Sequence, residues 1–166
     1  MIRWCLDSLI SSGIDDIAIV LGLRNAAMEE AIAGLPVAVA FNNNPGSDMA
    51  ESVRAGLRAI IPSSSGVLIA LSDHPMVADK TVKILARCHA ATPDKIVIPL
   101  YKGRRGHPSL FPRSSLAEMF TGATLRDIIE REPRNVLPVE VPDEGVITDI
   151  DTMEDYLKLC KKQMKR

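Results

Sequence analysis

The chain has no surplus of charge. Lysine and arginine number 20 against 21 aspartates and glutamates, a formal net charge of −1. No general field therefore recruits nucleic acid or an anionic membrane surface, and a charged ligand has to be caught locally. Cysteine is scarce: Cys5, Cys88 and Cys160 lie far apart, fit no zinc spacing and form an odd set, which points to reduced thiols. No apolar run approaches the roughly 20 residues that span a bilayer, and no secretory signal stands out, so a soluble, cytoplasmic protein is expected. Internal repeats and low-complexity linkers are missing. So are a nucleophile-elbow serine and a histidine signature beside any cysteine, which leaves covalent catalysis without support.

What the chain does have is 166 residues, 46% of them hydrophobic, enough to bury one core but not two. A single domain over residues 1–166 is expected. Ile2, Cys5, Leu6, Leu9 and Ile10 recur at helical spacing and Gly13 stops them. IAIVLG (17–22) is a β-branched run too short for a helix, and it reads as a buried parallel strand. A helix over 26–34, a strand over 37–41, a turn at Asn42-Asn43-Asn44-Pro45-Gly46 and a helix over 49–61 capped by Ser47 or Asp48 follow. Strand GVLIAL (66–71), helix 79–90 and strand KIVIPL (95–100) continue the alternation, which predicts an α/β fold with a mostly parallel sheet. Residues 101–113, rich in glycine, proline and arginine, read as a loop in which only Ser109 to Phe111 look strand-like. Short helices in SSLAEMF and TLRDIIERE, strand VLPVEV and a final helix complete the chain.

In open parallel sheets ligands bind beyond the carboxyl ends of the strands. The stretch VLIALSDHPMV (67–77) delivers Asp73 to such an end and stops with Pro75. A carboxylate there is a hard oxygen ligand for Mg²⁺ that also touches substrate phosphates; the alternative is that Asp73 only caps the helix beginning near Val77. In Asp149-Ile150-Asp151 the two carboxylates point to one side of an extended segment. One metal could bridge them to Asp73, but Asp151-Thr152-Met153-Glu154 also resembles a capping box. Ser52 and nearby backbone N–H groups sit where a helix start can hold an anion or a base edge. Arg54 either faces a phosphate or, with Arg58 four residues on, belongs to a solvated face. In Gly103-Arg104-Arg105-Gly106-His107-Pro108 the guanidiniums offer forked donors for phosphate or carboxylate, or plain surface charge. His107 has no carboxylate partner in the local sequence, which favours a positioning role over that of a general base; His74 and His89 read as structural or exposed.

Taken together, NNNPGSDMAESVRAGL, VLIALSDHPMV, GRRGHPSLFPR and VITDIDTMEDYLKL resemble, in order and spacing, the nucleotidyltransferases that act on the molybdenum cofactor, the cytidylyltransferases above all. The motifs that carry the resemblance are Asp73 to Pro75, Gly106 to Pro108, and Asp149 to Asp155, with Met153 at a position where the family usually has proline and His74 where glutamine or methionine is usual. The resemblance implies a Rossmann-like three-layer fold with helices on both faces of the sheet. It implies Mg²⁺ held by Asp73, Asp149 and Asp151, with Asp73 and Asp151 catalytic. Ser52, Arg54 and Asp73 would lie by a nucleoside triphosphate, CTP by preference. Arg105, Gly106, His107 and Pro108 would face a phosphorylated acceptor such as molybdopterin. It also implies that the family's first strand and its glycine-rich loop have no counterpart here, so weakened nucleotide binding and catalysis are expected. A non-catalytic remnant that keeps the fold and associates with itself or a partner is the competing expectation.

Overall fold

A computed structural model describes residues 1–22, 26–44 and 46–163; Pro45, part of the expected turn, lies outside them. The elements run α1 (Ile2–Ser11), β1 (Ala18–Leu21), α2 (Ala26–Ile32), β2 (Ala38–Phe41), α3 (Met49–Ala59), β3 (Gly66–Ile69), α4 (Asp79–Ala91) and β4 (Ile96–Tyr101). Then come β5 (Arg104–Arg105), β6 (Ser109–Pro112), a 3₁₀ helix (Ser115–Thr121), α5 (Leu125–Arg131), β7 (Val136–Glu140), a 3₁₀ turn (Glu144–Ile147) and α6 (Met153–Gln163). Helix α3 forms because Ala50, Val53 and Leu57 fall on one buried face and Asp48 accepts the Glu51 amide at 2.9 Å. Thr124 and Asp127 close a reciprocal capping box at α5.

The mostly parallel sheet is not what forms. β1 and β2 make a two-stranded parallel sheet, while the second sheet runs β3-β6-β4-β5, antiparallel throughout, with β7 parallel to β4. The reason lies in residues 101–113, where the strand-like Ser109 to Phe111 fall in β6 and Arg104–Arg105 form a further strand in place of a loop. Lys102 and Gly103 both take positive φ, 50° and 76°, the two-residue hairpin geometry, and fold Arg104–Arg105 back on Tyr101 and Leu100. The chain then returns as β6, all four residues buried, between β3 and β4. Continuous apolar runs mark burial on both faces, and that burial is met equally by an antiparallel strand wedged into the sheet.

Along β4 the side chains alternate: Ile96 and Ile98 pack with Phe111, Leu116, Met119 and α3, whereas Val97 packs with Leu110 and Leu85 of α4. Helices thus cover both faces of this sheet. A separate cluster of Leu6, Ile17, Ile19, Leu21 and Ile32 holds α1, β1 and α2 together. Among the described residues no backbone hydrogen bond joins β1 to β3.

Candidate functional site

Strand β3 ends at Ile69, and the chain turns at Ser72–Asp73 before Pro75, which is buried. Asp73 does not cap α4. The N-cap position, Ala78, has no capping side chain of its own; its amide donates to Asp143 Oδ2 at 2.9 Å, and the Thr81 hydroxyl donates to the same oxygen at 2.6 Å. Asp143 Oδ1 also accepts from the Gly145 amide at 3.0 Å. One carboxylate from the far side of β7 therefore holds both the start of α4 and its own turn, and Asp73 is left without that duty.

The Asp73 carboxylate has an oxygen, Oδ1, sealed from solvent with no hydrogen-bond partner among the described residues. Leaving such an acceptor unsatisfied costs about 1–3 kcal/mol, more when it is charged. An oxygen of this kind fits a cation or a donor group supplied by a ligand. The Asp73 carbonyl accepts the Ile150 amide at 2.8 Å, which sets Asp149 and Asp151, both exposed, on either side of the contact. Among the described residues no group of three or more His, Cys, Asp or Glu side chains is arranged to hold a metal ion. Capping at α6 belongs to Thr152, whose hydroxyl oxygen accepts the Asp155 amide at 3.2 Å, so neither Asp149 nor Asp151 is needed there.

His107 reaches the same place from the other sheet edge. Gly106 is buried, its amide donates to Pro99 at 2.9 Å, and the His107 amide donates to Val146 at 2.8 Å. A Cβ on Gly106 would stand 2.2 Å from the Val146 carbonyl oxygen, so this close approach of two backbones requires glycine. A cis bond joins His107 to Pro108. The rings of His107 and His74 lie 5.2 Å apart at centroid, and the Nδ1 atoms of both are buried without partners among the described residues. Burial pushes the His107 imidazole below its usual range, the nearby His74 adds to this and the Asp73 charge opposes it. His107 is thus held neutral next to a carboxylate that its local sequence did not reveal. His74, expected to be structural or exposed, is half-buried and part of this group.

Helix α1 supports the arrangement from below. The Ser8 hydroxyl donates to the Val77 carbonyl at 2.7 Å, and the Cys5 thiol to the Ser72 carbonyl at 3.5 Å. Burial pushes that thiol up, as suits a packing residue. Ser52 lies on α3, where its Oγ accepts from the Asn42 amide group at 3.0 Å; a cavity is lined by both Ser52 and Ser72. Arg54 is turned elsewhere: its guanidinium donates to the Met119 carbonyl at 3.3 Å and approaches Asp48 at 4.0 Å. Arg105 is exposed on the short β5 hairpin and has no ion-pair partner among the described residues. The structure therefore brings together Asp73, His74, Gly106, His107, Pro108 and the Asp149–Asp151 backbone, with Ser52 at the neighbouring cavity, and leaves Arg54 engaged within the protein. His74 and Asp143 escaped sequence reasoning. No local pattern announces either, since their partners lie more than thirty residues away.

Residues 1–137 match the MobA-like NTP transferase domain. Among solved structures, a nucleotidyl transferase from Methanothermobacter superposes with a TM-score of 0.81 at 20% identity, covering 99% of this chain and 80% of its own. Rv0371c from Mycobacterium tuberculosis H37Rv gives 0.75 at 24% identity, with 96% and 82% covered; it has also been solved in complex with manganese. CMP:2-keto-3-deoxy-manno-octonic acid synthetase complexed with CTP gives 0.78 at 9% identity, with 99% and 87% covered. Among curated protein sequences none matches the chain.

Proposed function

The chain belongs to the MobA-like NTP transferase domain family, and from that premise we propose that its cleft transfers a nucleotidyl group, CMP from CTP by preference, to a phosphorylated acceptor of the molybdopterin kind, releasing pyrophosphate. The observation that carries this reading is the buried, unpartnered oxygen of Asp73 at the carboxyl edge of β3. Asp73 with one of Asp149 and Asp151 would hold Mg²⁺, an ion bound through one or two carboxylates with substrate phosphates completing its shell. When bound, such an ion supplies positive charge against the phosphates in the transition state. Asp73 and Asp151 are the catalytic pair of this reading.

The protein's own groups orient the reactants. Because Ser52 Oγ accepts from Asn42, its O–H remains to donate to a nucleotide beside the cavity. His107, neutral through burial, serves as a hydrogen-bonding wall for the acceptor in place of a cation, and Gly106 and Pro108 fix where that wall stands. Arg105, exposed on its hairpin, offers a fork to an acceptor phosphate. Arg54 contributes to the nucleotide only by exchanging the Met119 carbonyl for a phosphate.

Thermal unfolding with CTP and with GTP, each with and without Mg²⁺, tests the reading. Specific binding at a hundredfold excess over the dissociation constant adds about 2.7 kcal/mol, and the upward shift is expected for CTP only with the metal. Asp73→Asn should abolish the shift while the unliganded protein stays at least as stable as before. Equal shifts with and without metal, or none with either nucleotide, would sink the assignment.

A further inference from the structure

Two imidazoles in the cleft carry a ring nitrogen that is sealed from solvent and bonded to nothing among the described residues: His74 Nδ1 and His107 Nδ1. Buried polar groups are seldom left bare, and each such atom marks a place where a partner belongs. A neutral imidazole has one nitrogen that donates and one that only accepts. With Nδ1 accepting on both rings, the pair offers two lone pairs and asks for a group that brings positive charge. The Asp73 carboxylate, next in the chain to His74 and felt electrostatically at His107, favours a cation there further. His89 Nδ1 is buried and unpartnered too, but its ring lies elsewhere, beside Ser65.

Spacing selects the kind of cation. A ligating nitrogen about 2.1 Å from an ion puts the centroid of its ring about 3.2 Å away, and two rings at a tetrahedral angle then stand about 5.2 Å apart. The His74 and His107 centroids are 5.2 Å apart, with the rings tilted by 59°. Imidazole nitrogen suits zinc, copper, iron and nickel, whereas magnesium keeps oxygen ligands and gives up its waters reluctantly. An ion that reaches sealed atoms has to give up water. No third His, Cys, Asp or Glu completes the set among the described residues, so Asp73 acts by its charge, and the remaining positions fall to water or substrate. A cavity of about 20 Å³ bordered by His74 and Pro108 has room for one water. The Cys5 thiol on the lining of that cavity is already engaged, since it donates to the Ser72 carbonyl at 3.5 Å.

We propose that His74 and His107 form a binding site for a divalent transition metal of the zinc kind, held through the two Nδ1 atoms and separate from any Mg²⁺ on the carboxylates. It stands apart from the nucleotidyl reading, which places neither imidazole on a metal.

The test uses the purified full chain, stripped of metal with a chelator and free of nucleotide. Zn²⁺ and Mg²⁺ are titrated separately by calorimetry. Co²⁺, a tetrahedral stand-in for zinc, is followed by its visible absorption and by the imidazole NMR resonances of the three histidines. Zn²⁺ is expected to bind once per chain, at least about a hundredfold more tightly than Mg²⁺. Co²⁺ should give the intense visible bands of a tetrahedral ion and displace the His74 and His107 resonances while His89 stays in place. His74→Gln and His107→Asn should each weaken Zn²⁺ at least about tenfold, whereas Cys5→Ser, Cys88→Ser and Cys160→Ser should leave its affinity unchanged. Should a histidine variant fail to fold, the resonances of the parent chain still decide. Zn²⁺ bound no more tightly than Mg²⁺, parent affinity in either histidine variant, loss in a cysteine variant, or His89 responding together with the other two overturns the proposal. A site lost in Asp73→Asn but kept in both histidine variants overturns it in favour of the carboxylates alone. The CTP and Mg²⁺ shift is measured independently, so failure here leaves the nucleotidyl reading standing.

Discussion

At Gly106 two stretches of backbone meet with no room between them, and the next residue, His107, sets its ring against His74. Gly106→Ala would set a methyl 2.2 Å from a main-chain oxygen, which no rotamer can relieve. A loss of more than about 2 kcal/mol is expected in urea unfolding, together with displacement of His107 from His74, visible as changed imidazole shifts in NMR. The placement of Asp73 just beyond the end of an apolar strand was legible because the run 67–71 leads into an acid and a proline. His74 was not, because its partner His107 is thirty-three positions along and reaches it only after β4 and β6 have paired. For Arg54 the sequence left a phosphate and a solvated face open; a guanidinium has five donors, and the carbonyl of Met119 lies within reach of one.

Helix α4 depends on a residue outside itself. With Ala78 at its N-cap, the helix has no side chain to take its first amides, and Asp143 supplies one from beyond β7. Asp143→Ala should cost about 1–3 kcal/mol and speed hydrogen exchange in the first turn of α4 while leaving its last turn unchanged. At that other end His89 is buried, with its Nε2 3.4 Å from the Ser65 hydroxyl. Burial lowers its pKa from the ordinary 6.5, with the Ser65 contact and the Asp94 charge opposing. The unfolded chain therefore takes up protons first as the pH falls. His89 should add to stability fully above pH 6.5, and the gain should shrink as the pH drops from there towards the folded value. Urea midpoints measured from about pH 8 down to about pH 5 should fall for the parent chain and fall less for His89→Gln. The existence of these helices was readable from spacing. Their fastenings were not, since a cap at long range leaves no trace in the neighbouring residues; β6 was readable at Ser109 to Phe111, but β5 was not, inside a segment whose glycines, prolines and arginines signal a loop.

The described residues form three core clusters held by two sheets that share no ladder. β4 is sealed, Val97 showing no exposure, and it pairs with β6, β7 and β5. β1 leans on one partner strand and on α1 and α3. Amides of β1 and β2 are expected to exchange through openings of lower free energy than those of β4, and a common rate for both sheets would contradict this. The architecture class was readable from the alternation of elements. Strand direction was not, because burial on both faces erases the period-two pattern from which direction is inferred.

The hydrogen bond from the Ile150 amide to the Asp73 carbonyl bears on where the working unit ends. The match to the transferase domain stops at residue 137, yet Asp143 fastens α4, Val146 fixes His107, and Ile150 grips the turn that carries Asp73. A shortened chain cut at the edge of the match would keep every strand through β6 and most of the core, while the cleft lost three of its braces. The smallest piece able to keep Asp73 in position extends at least to Ile150.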